Sequence, residues 1–201
     1  MRPTDPAAGA VRAATIPETD RQALLRLARE TLVRYLAAGR VPERPPLTPA
    51  LDAPRATFVT LRRRGTGVLR GCVGETRARG PLVESVMRMA VAAATEDPRF
   101  AAVTVEELPT LRIEISALTP MEPIRPEDVV VGRHGLLITR GPASGLLLPQ
   151  VPGAHGWNRT RFLAALCSKA GLPDDAWLSN DTKLYAFESE MWEEEDVAGP
   201  P

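Results

Sequence analysis

Lysine is nearly missing from this chain: of 25 basic residues only Lys169 and Lys183 are lysines, and the rest are arginines. Histidine is limited to His134 and His155, and cysteine to Cys72 and Cys167. There is no CxxC pair and no Cys/His cluster at zinc-ligand spacing, so no metal site is predicted and a disulfide-stapled scaffold is excluded. Aromatics make up 4% of the chain, with none interleaved among the arginines, which argues against a stacking platform for single-stranded nucleic acid. No apolar run approaches the ~18 residues of a membrane span. The first residues show no basic segment followed by an apolar run, so no signal peptide is predicted. Neither sign of charge dominates, since 25 acidic residues balance 25 basic ones, and there is no global field to draw in a nucleic acid. The P-loop ending and Rossmann glycine spacing are both absent.

What is present is ordinary globular material. A 201-residue chain that is 44% apolar and 25% charged can bury a core without a disulfide or metal. A soluble cytoplasmic protein of one domain is predicted. The arginine excess has two readings, a GC-rich codon bias or recognition of carboxylates and phosphates through the guanidinium fork.

Residues 1–17 have no period and read as a loose leader. From Glu18 a three- and four-residue stripe (Leu24, Leu25, Ala28, Leu32, Tyr35, Leu36) predicts an amphipathic helix, started by Thr19 or Asp20 and ended at Gly39. Residues 41–56 carry five prolines and read as an extended connector, neither strand nor helix. Ala56–Arg63 and Val68–Val73 flank turn glycines and predict a hairpin. Pro81–Thr95 reads as a helix, and Leu111–Ala117 alternates as a strand with one buried face. Leu136–Thr139 and Gly145–Leu148 form a short pair, Asn158–Ala170 a helix capped by Asn158, and Leu184–Trp192 one late strand. An acidic tail from residue 194 reads as frayed. Strands with hairpin connections and no βαβ repeat predict an α+β fold, a mostly antiparallel sheet with packed helices, over residues 18–193.

The most unusual stretch is Leu69-Arg70-Gly71-Cys72-Val73-Gly74. Glycine in a strand is unfavourable and marks a bulge or a close approach. Strand alternation places Arg70 and Cys72 on one face, with Gly71 turned away and Gly74 leaving the thiol's face open. An arginine beside a thiol favours the thiolate. Cys72 is therefore a candidate nucleophile or redox thiol and Arg70 its electrostatic partner, although a free cysteine also serves as a small buried hydrophobe. Asp97-Pro98-Arg99-Phe100 has two readings as well. It is a capping turn with Phe100 in the core, or a pair in which Arg99 binds an anion at the Cys72 cleft. Gln150, at a strand end before a Gly-rich loop, is a candidate ligand-orienting amide. Trp157 either covers a pocket or packs as a hydrophobic staple.

These blocks resemble the AMMECR domain family. LRGCVG is similar to the family's LRGCIG hallmark, and the similarity continues through Pro81-Leu82, Glu96–Phe100, Glu106–Pro109, Ile113–Pro120, Val131–Leu136, Leu148–Val151, Gly156-Trp157 and Phe162–Pro173. The resemblance implies a compact α+β domain of two unequal lobes. It also implies a cytoplasmic protein of the AmmeMemoRadiSam system, linked to a Memo-like protein and a radical SAM protein. It assigns no reaction and no cofactor. Relatives often carry a Glu where this chain has Pro152-Gly153-Ala154-His155, leaving His155 as the nearby titratable group. Three functions follow: a small-molecule enzyme or enzyme subunit working through a cleft of Arg70, Cys72, Arg99, Gln150, His155 and Trp157; a scaffold module whose hairpin edge, opened by Gly71 and Gly74, meets a partner; and, with only charge behind it, a nucleic-acid-associated protein.

Overall fold

The structure is a computed structural model and describes residues 15–46 and 48–195. The stripe read from Leu24 to Leu32 becomes the buried side of α1 (Glu18–Ala38), which ends where Gly39 turns left-handed at φ 66° and its N–H bonds Tyr35 O. Its first turn is not capped by Thr19 or Asp20. Pro17 holds the cap position, and Asp20 instead accepts a hydrogen bond from Thr48 Oγ1 at 2.7 Å. That bond ties the helix to the proline-rich connector. The connector itself contains one helical turn, α2 (Pro49–Asp52), because Thr48 caps the N–H of Leu51 and Pro49 suits the first position.

The hairpin forms as β1 (Thr57–Arg63) and β2 (Leu69–Gly74), followed by α3 (Leu82–Thr95) and β3 (Leu111–Leu118). Then come β4 (Glu122–Pro123), β5 (Gly135–Arg140), β6 (Ala143–Leu147), α4 (Gln150–Ala154) and α5 (Arg159–Lys169). The late alternating segment is not one strand. It divides at Glu188 into β7 (Lys183–Phe187) and β8 (Ser189–Glu193), which lie in different sheets. Glu188 spends neither backbone group on a ladder: its O accepts from Thr119 N at 2.8 Å and its N donates to Thr119 Oγ1 at 2.8 Å.

All strand pairs are antiparallel. The first sheet has the order β2-β1-β3-β8 and the second β4-β7-β5-β6. Each sheet carries its own helices, and this gives two lobes. On the first sheet, Val59, Leu61, Ile113 and Ile115 meet Leu24, Leu32, Leu82, Val86 and Ala90 of α1 and α3. On the second, Leu136 and Ile138 meet Phe162, Leu163, Leu166 and Cys167 of α5. A third cluster built on Ala56, Leu118 and Phe187, with Phe58, Leu146 and Leu148 packed against it, joins the lobes on the face of the first sheet that carries no helix. The fold is α+β, as the sequence predicts.

Most of the expected leader and tail lies outside the described residues. Their inner ends are fixed. Ile16 is buried and its N–H bonds Glu190 Oε2 at 3.0 Å, while Glu194 binds Arg29, Arg64 and the N–H of Ile113. Ile16 is therefore not part of a loose leader, and Glu194 is not frayed.

Candidate functional site

The glycines of the Leu69–Gly74 segment are set by what lies beside them. A Cβ on Gly71 would stand 2.1 Å from the carbonyl oxygen of Ala93, so only glycine lets β2 rest directly on the backbone of α3. On Gly74 a Cβ would fall inside the ring of Phe58, its neighbour across the strand pair. The opening expected at Gly74 is thus filled by an aromatic ring.

Arg70 does not follow simple alternation. Leu61 pairs with Gly71 and Arg62 with Leu69, so Arg70 is the extra residue of a bulge. Its guanidinium is held bidentately by Glu107, Nε to Oε1 at 3.1 Å and Nη2 to Oε2 at 3.0 Å, and donates to Ala101 O at 2.9 Å. That hydrogen bonding from Arg70 holds the Glu107 carboxyl below its ordinary range against the opposing effect of burial. Arg70 anchors the loop after α3.

Cys72 lies on the helix-free face, half-buried, directly opposite Thr60. The Thr60 hydroxyl donates to Cys72 Sγ at 3.4 Å, and Glu114, itself buried, follows Thr60 in the same cross-strand row. The N–H of Cys72 points off the sheet edge and donates to Asp97 Oδ2 at 2.8 Å. Asp97 also grips Arg99 at Nε (2.9 Å), Nη2 (2.7 Å) and the backbone N (3.1 Å). The Arg99 guanidinium beside Asp97 holds that carboxyl well below the usual carboxylate range, outweighing burial, and the Cys72 N–H adds to the effect. Arg99 is correspondingly raised, first by its hydrogen bond to Asp97 and also by that carboxylate's charge, against the opposing effect of burial. Arg99, not Arg70, is therefore the arginine tied to the thiol-bearing strand, through Asp97. Of the capping-turn reading, Asp97 does bond the turn's own backbone N–H at Arg99, but Phe100 is only half-buried and lies against the Arg70 and Arg99 guanidinium groups, not in a core cluster.

The second-lobe candidates stand elsewhere. Gln150 opens α4 and is exposed. His155 stacks on Trp157 with ring centroids 4.6 Å apart and planes at 17°. Trp157 is half-buried and packs on the α5 core, as a staple does. No contact joins these three to Cys72, so the structure groups Cys72, Asp97, Arg99 and Thr60 and leaves Gln150, His155 and Trp157 apart. Thr60, Asp97 and Glu107 are the residues sequence reasoning underweighted.

Two cavities flank the segment after β2. The larger, about 1070 Å³, runs along α3 from Val73 and Gly74 past Glu75 and Met87. The smaller, about 380 Å³, lies between the lobes by Leu118 and Tyr185. Cys72 lines neither. Among the described residues no three His, Cys, Asp or Glu side chains gather as a metal site, and no helix is long and apolar enough to cross a membrane.

A two-lobed α+β protein with an edge-strand cysteine whose thiol meets a threonine hydroxyl and whose backbone N–H meets an Asp–Arg pair is the class these features define. The chain belongs to the AMMECR1 family, whose model matches residues 25–192. It is 49% identical over 187 residues to a protein of Thermococcus gammatolerans, covering 88% of this chain and 91% of that one. It is 44% identical over 185 residues to Protein MK0488 of Methanopyrus kandleri, covering 88% and 89%. The crystal structure of Uncharacterized Protein PH0010 from Pyrococcus horikoshii superposes with a TM-score of 0.82 at 45% identity, covering 89% of this chain and 93% of that one.

Proposed function

We propose that this protein is a thiol-dependent enzyme, or the thiol-bearing subunit of one, acting on a small electrophilic molecule through Cys72. The observation that carries the reading is the hydrogen bond from Thr60 Oγ1 to Cys72 Sγ, on a strand whose Cys72 N–H is held by the carboxylate that also fixes Arg99. A hydroxyl that donates to the sulfur orients it for attack. In the proposed step the thiol proton leaves to solvent, the sulfur forms a bond to an electrophilic carbon, and the leaving group departs with the electron pair of its own bond. Transfer of the carbon group to water or another acceptor restores the thiolate. Arg99 is 55% exposed at its side chain and meets an anionic substrate group at the rim. Arg70 fixes the loop that carries Arg99. The family resemblance supports a place beside a Memo-like protein and a radical SAM protein in the cytoplasm.

The experiment is alkylation of the native chain with iodoacetamide at neutral pH, with the modified cysteine read by mass spectrometry. Cys72 is expected to react faster in the folded protein than in the same chain unfolded in urea. Slower reaction in the folded state overturns the nucleophile reading. One observation favours a non-catalytic interaction module instead: Cys72 lines neither of the two cavities. On that reading the folded thiol is protected and Cys72→Ser keeps every association of the native protein. Gly71→Val does not separate the two readings, since the added side chain collides with α3 and would unfold the hairpin in either case.

A further inference from the structure

The segment that leaves β2 runs between the two cavities, and Thr76 and Arg77 line both. The cavities differ in charge. In the larger, Glu75, Glu84 and Glu96 are balanced by Arg77, Arg79 and Arg88, whereas the described residues lining the smaller include no carboxylate. The smaller contains two arginines. Arg55 is already satisfied: its Nη1 donates to Glu190 Oε1 at 2.8 Å and its Nε to Leu118 O at 3.1 Å. Arg77 is the uncompensated cation, exposed and without a hydrogen-bond or ion-pair partner among the described residues. Tyr185 and Thr76 line the same cavity, and neither hydroxyl has a hydrogen-bond partner among the described residues. Leu118, Met121 and Leu137 supply its apolar wall.

Three free donors, one net positive charge and an apolar wall around about 380 Å³ form a site with a definite chemistry. Small-ligand sites are mostly apolar with a few orienting polar groups, and a guanidinium matches a carboxylate in a planar two-point contact. A single uncompensated cation matches a monoanion better than a phosphate dianion.

We propose that this inter-lobe cavity binds a small organic monocarboxylate, its carboxylate on Arg77 with Tyr185 and Thr76 as further donors and its apolar body against Leu118, Met121 and Leu137. The site goes beyond the thiol reading and does not depend on it. Benzoate is the probe, titrated calorimetrically into the full chain, with benzyl alcohol as the uncharged isostere and inorganic phosphate as the other anion. Saturable benzoate binding is expected, weakened about tenfold or more by Arg77→Ala and severalfold by Tyr185→Phe, both of which keep the native circular dichroism spectrum because neither side-chain polar group has a protein partner to lose. Benzyl alcohol and phosphate are each expected to bind about tenfold more weakly than benzoate. The proposal is overturned by no saturable benzoate binding up to about 10 mM, by unchanged binding in Arg77→Ala, or by benzyl alcohol or phosphate binding as tightly as benzoate.

Discussion

Cys72 in the first lobe and Cys167 in the second are both free thiols. Cys167 sits on α5 with no exposed surface, among Phe162, Leu163, Leu166 and Ile138. Burial pushes its thiol above the ordinary range, only partly offset by backbone N–H groups of Trp177 and Ala176. Cys72 sits on an edge strand, half-exposed, with a hydroxyl donating to its sulfur and a carboxylate holding its amide. The same atom type is used in one lobe as core volume and in the other as a presented group. Strand position makes the difference, because a helix stripe facing a sheet excludes water, while the helix-free face of a sheet edge leaves the sulfur half-exposed beside a side-chain hydroxyl.

The largest effect that would break this contrast is kinetic. Under native conditions Cys167 is expected to be alkylated about a thousandfold more slowly than Cys72, since it must wait for the lobe to open; comparable rates by mass spectrometry would erase the distinction. Next come the glycines that seat each sheet on its helix. Gly71→Val and Gly145→Val both drive a Cβ into helix backbone, at 2.1 Å from Ala93 O and 2.7 Å from Ala170 N. Each is expected to lose about 3 kcal/mol or more in urea unfolding, Gly71→Val the more.

Asp97→Asn is expected to lose about 2 kcal/mol, the scale of hydrogen bonds to a charged group. The sign with pH follows from its depressed native value. Asp97 contributes fully above the unfolded pKa of about 3.9, and the contribution fades as pH falls toward the lower native value. The stability gap between wild type and Asp97→Asn should therefore shrink on acidification below about pH 4. Thr60→Val keeps the side-chain shape and removes the donor. It is expected to slow Cys72 alkylation severalfold at neutral pH while leaving Cys167 unaffected. Arg99→Gln, the smallest, is expected to slow it about twofold because the side chain is screened by solvent.

The helices and the hairpin were legible because their periods are intact: Leu24 to Leu32 and Leu82 to Ala93 repeat at helical steps, and Ile113 to Ala117 alternates. The candidate thiol was legible from its glycines. Its partner was not, because counting by twos along Leu69–Gly74 assumes a regular strand, and the bulge at Arg70 breaks that count. Arg99 comes to Cys72 through Asp97, a contact across 25 positions of chain that no local pattern encodes. Thr60 needs the hairpin register, which the same bulge shifts. The division of the late strand escaped for a related reason. The alternation of Leu184 to Trp192 runs unbroken through Glu188, and only its backbone bonds to Thr119 reveal that the chain changes sheets there.

That change of sheets has a bearing on how the molecule is made. The first sheet needs β8 as its outer strand, yet all of the second lobe lies between β3 and β8 along the chain. As the polypeptide emerges from the ribosome, the far edge of β3 stays unpaired until β8 appears, and the clasp of Glu194 on Arg29 and Arg64 closes only after that. The lobe begun first is thus completed only after the second lobe has been translated, and a nascent chain stopped before residue 189 would carry an unsealed β3 edge open to aggregation.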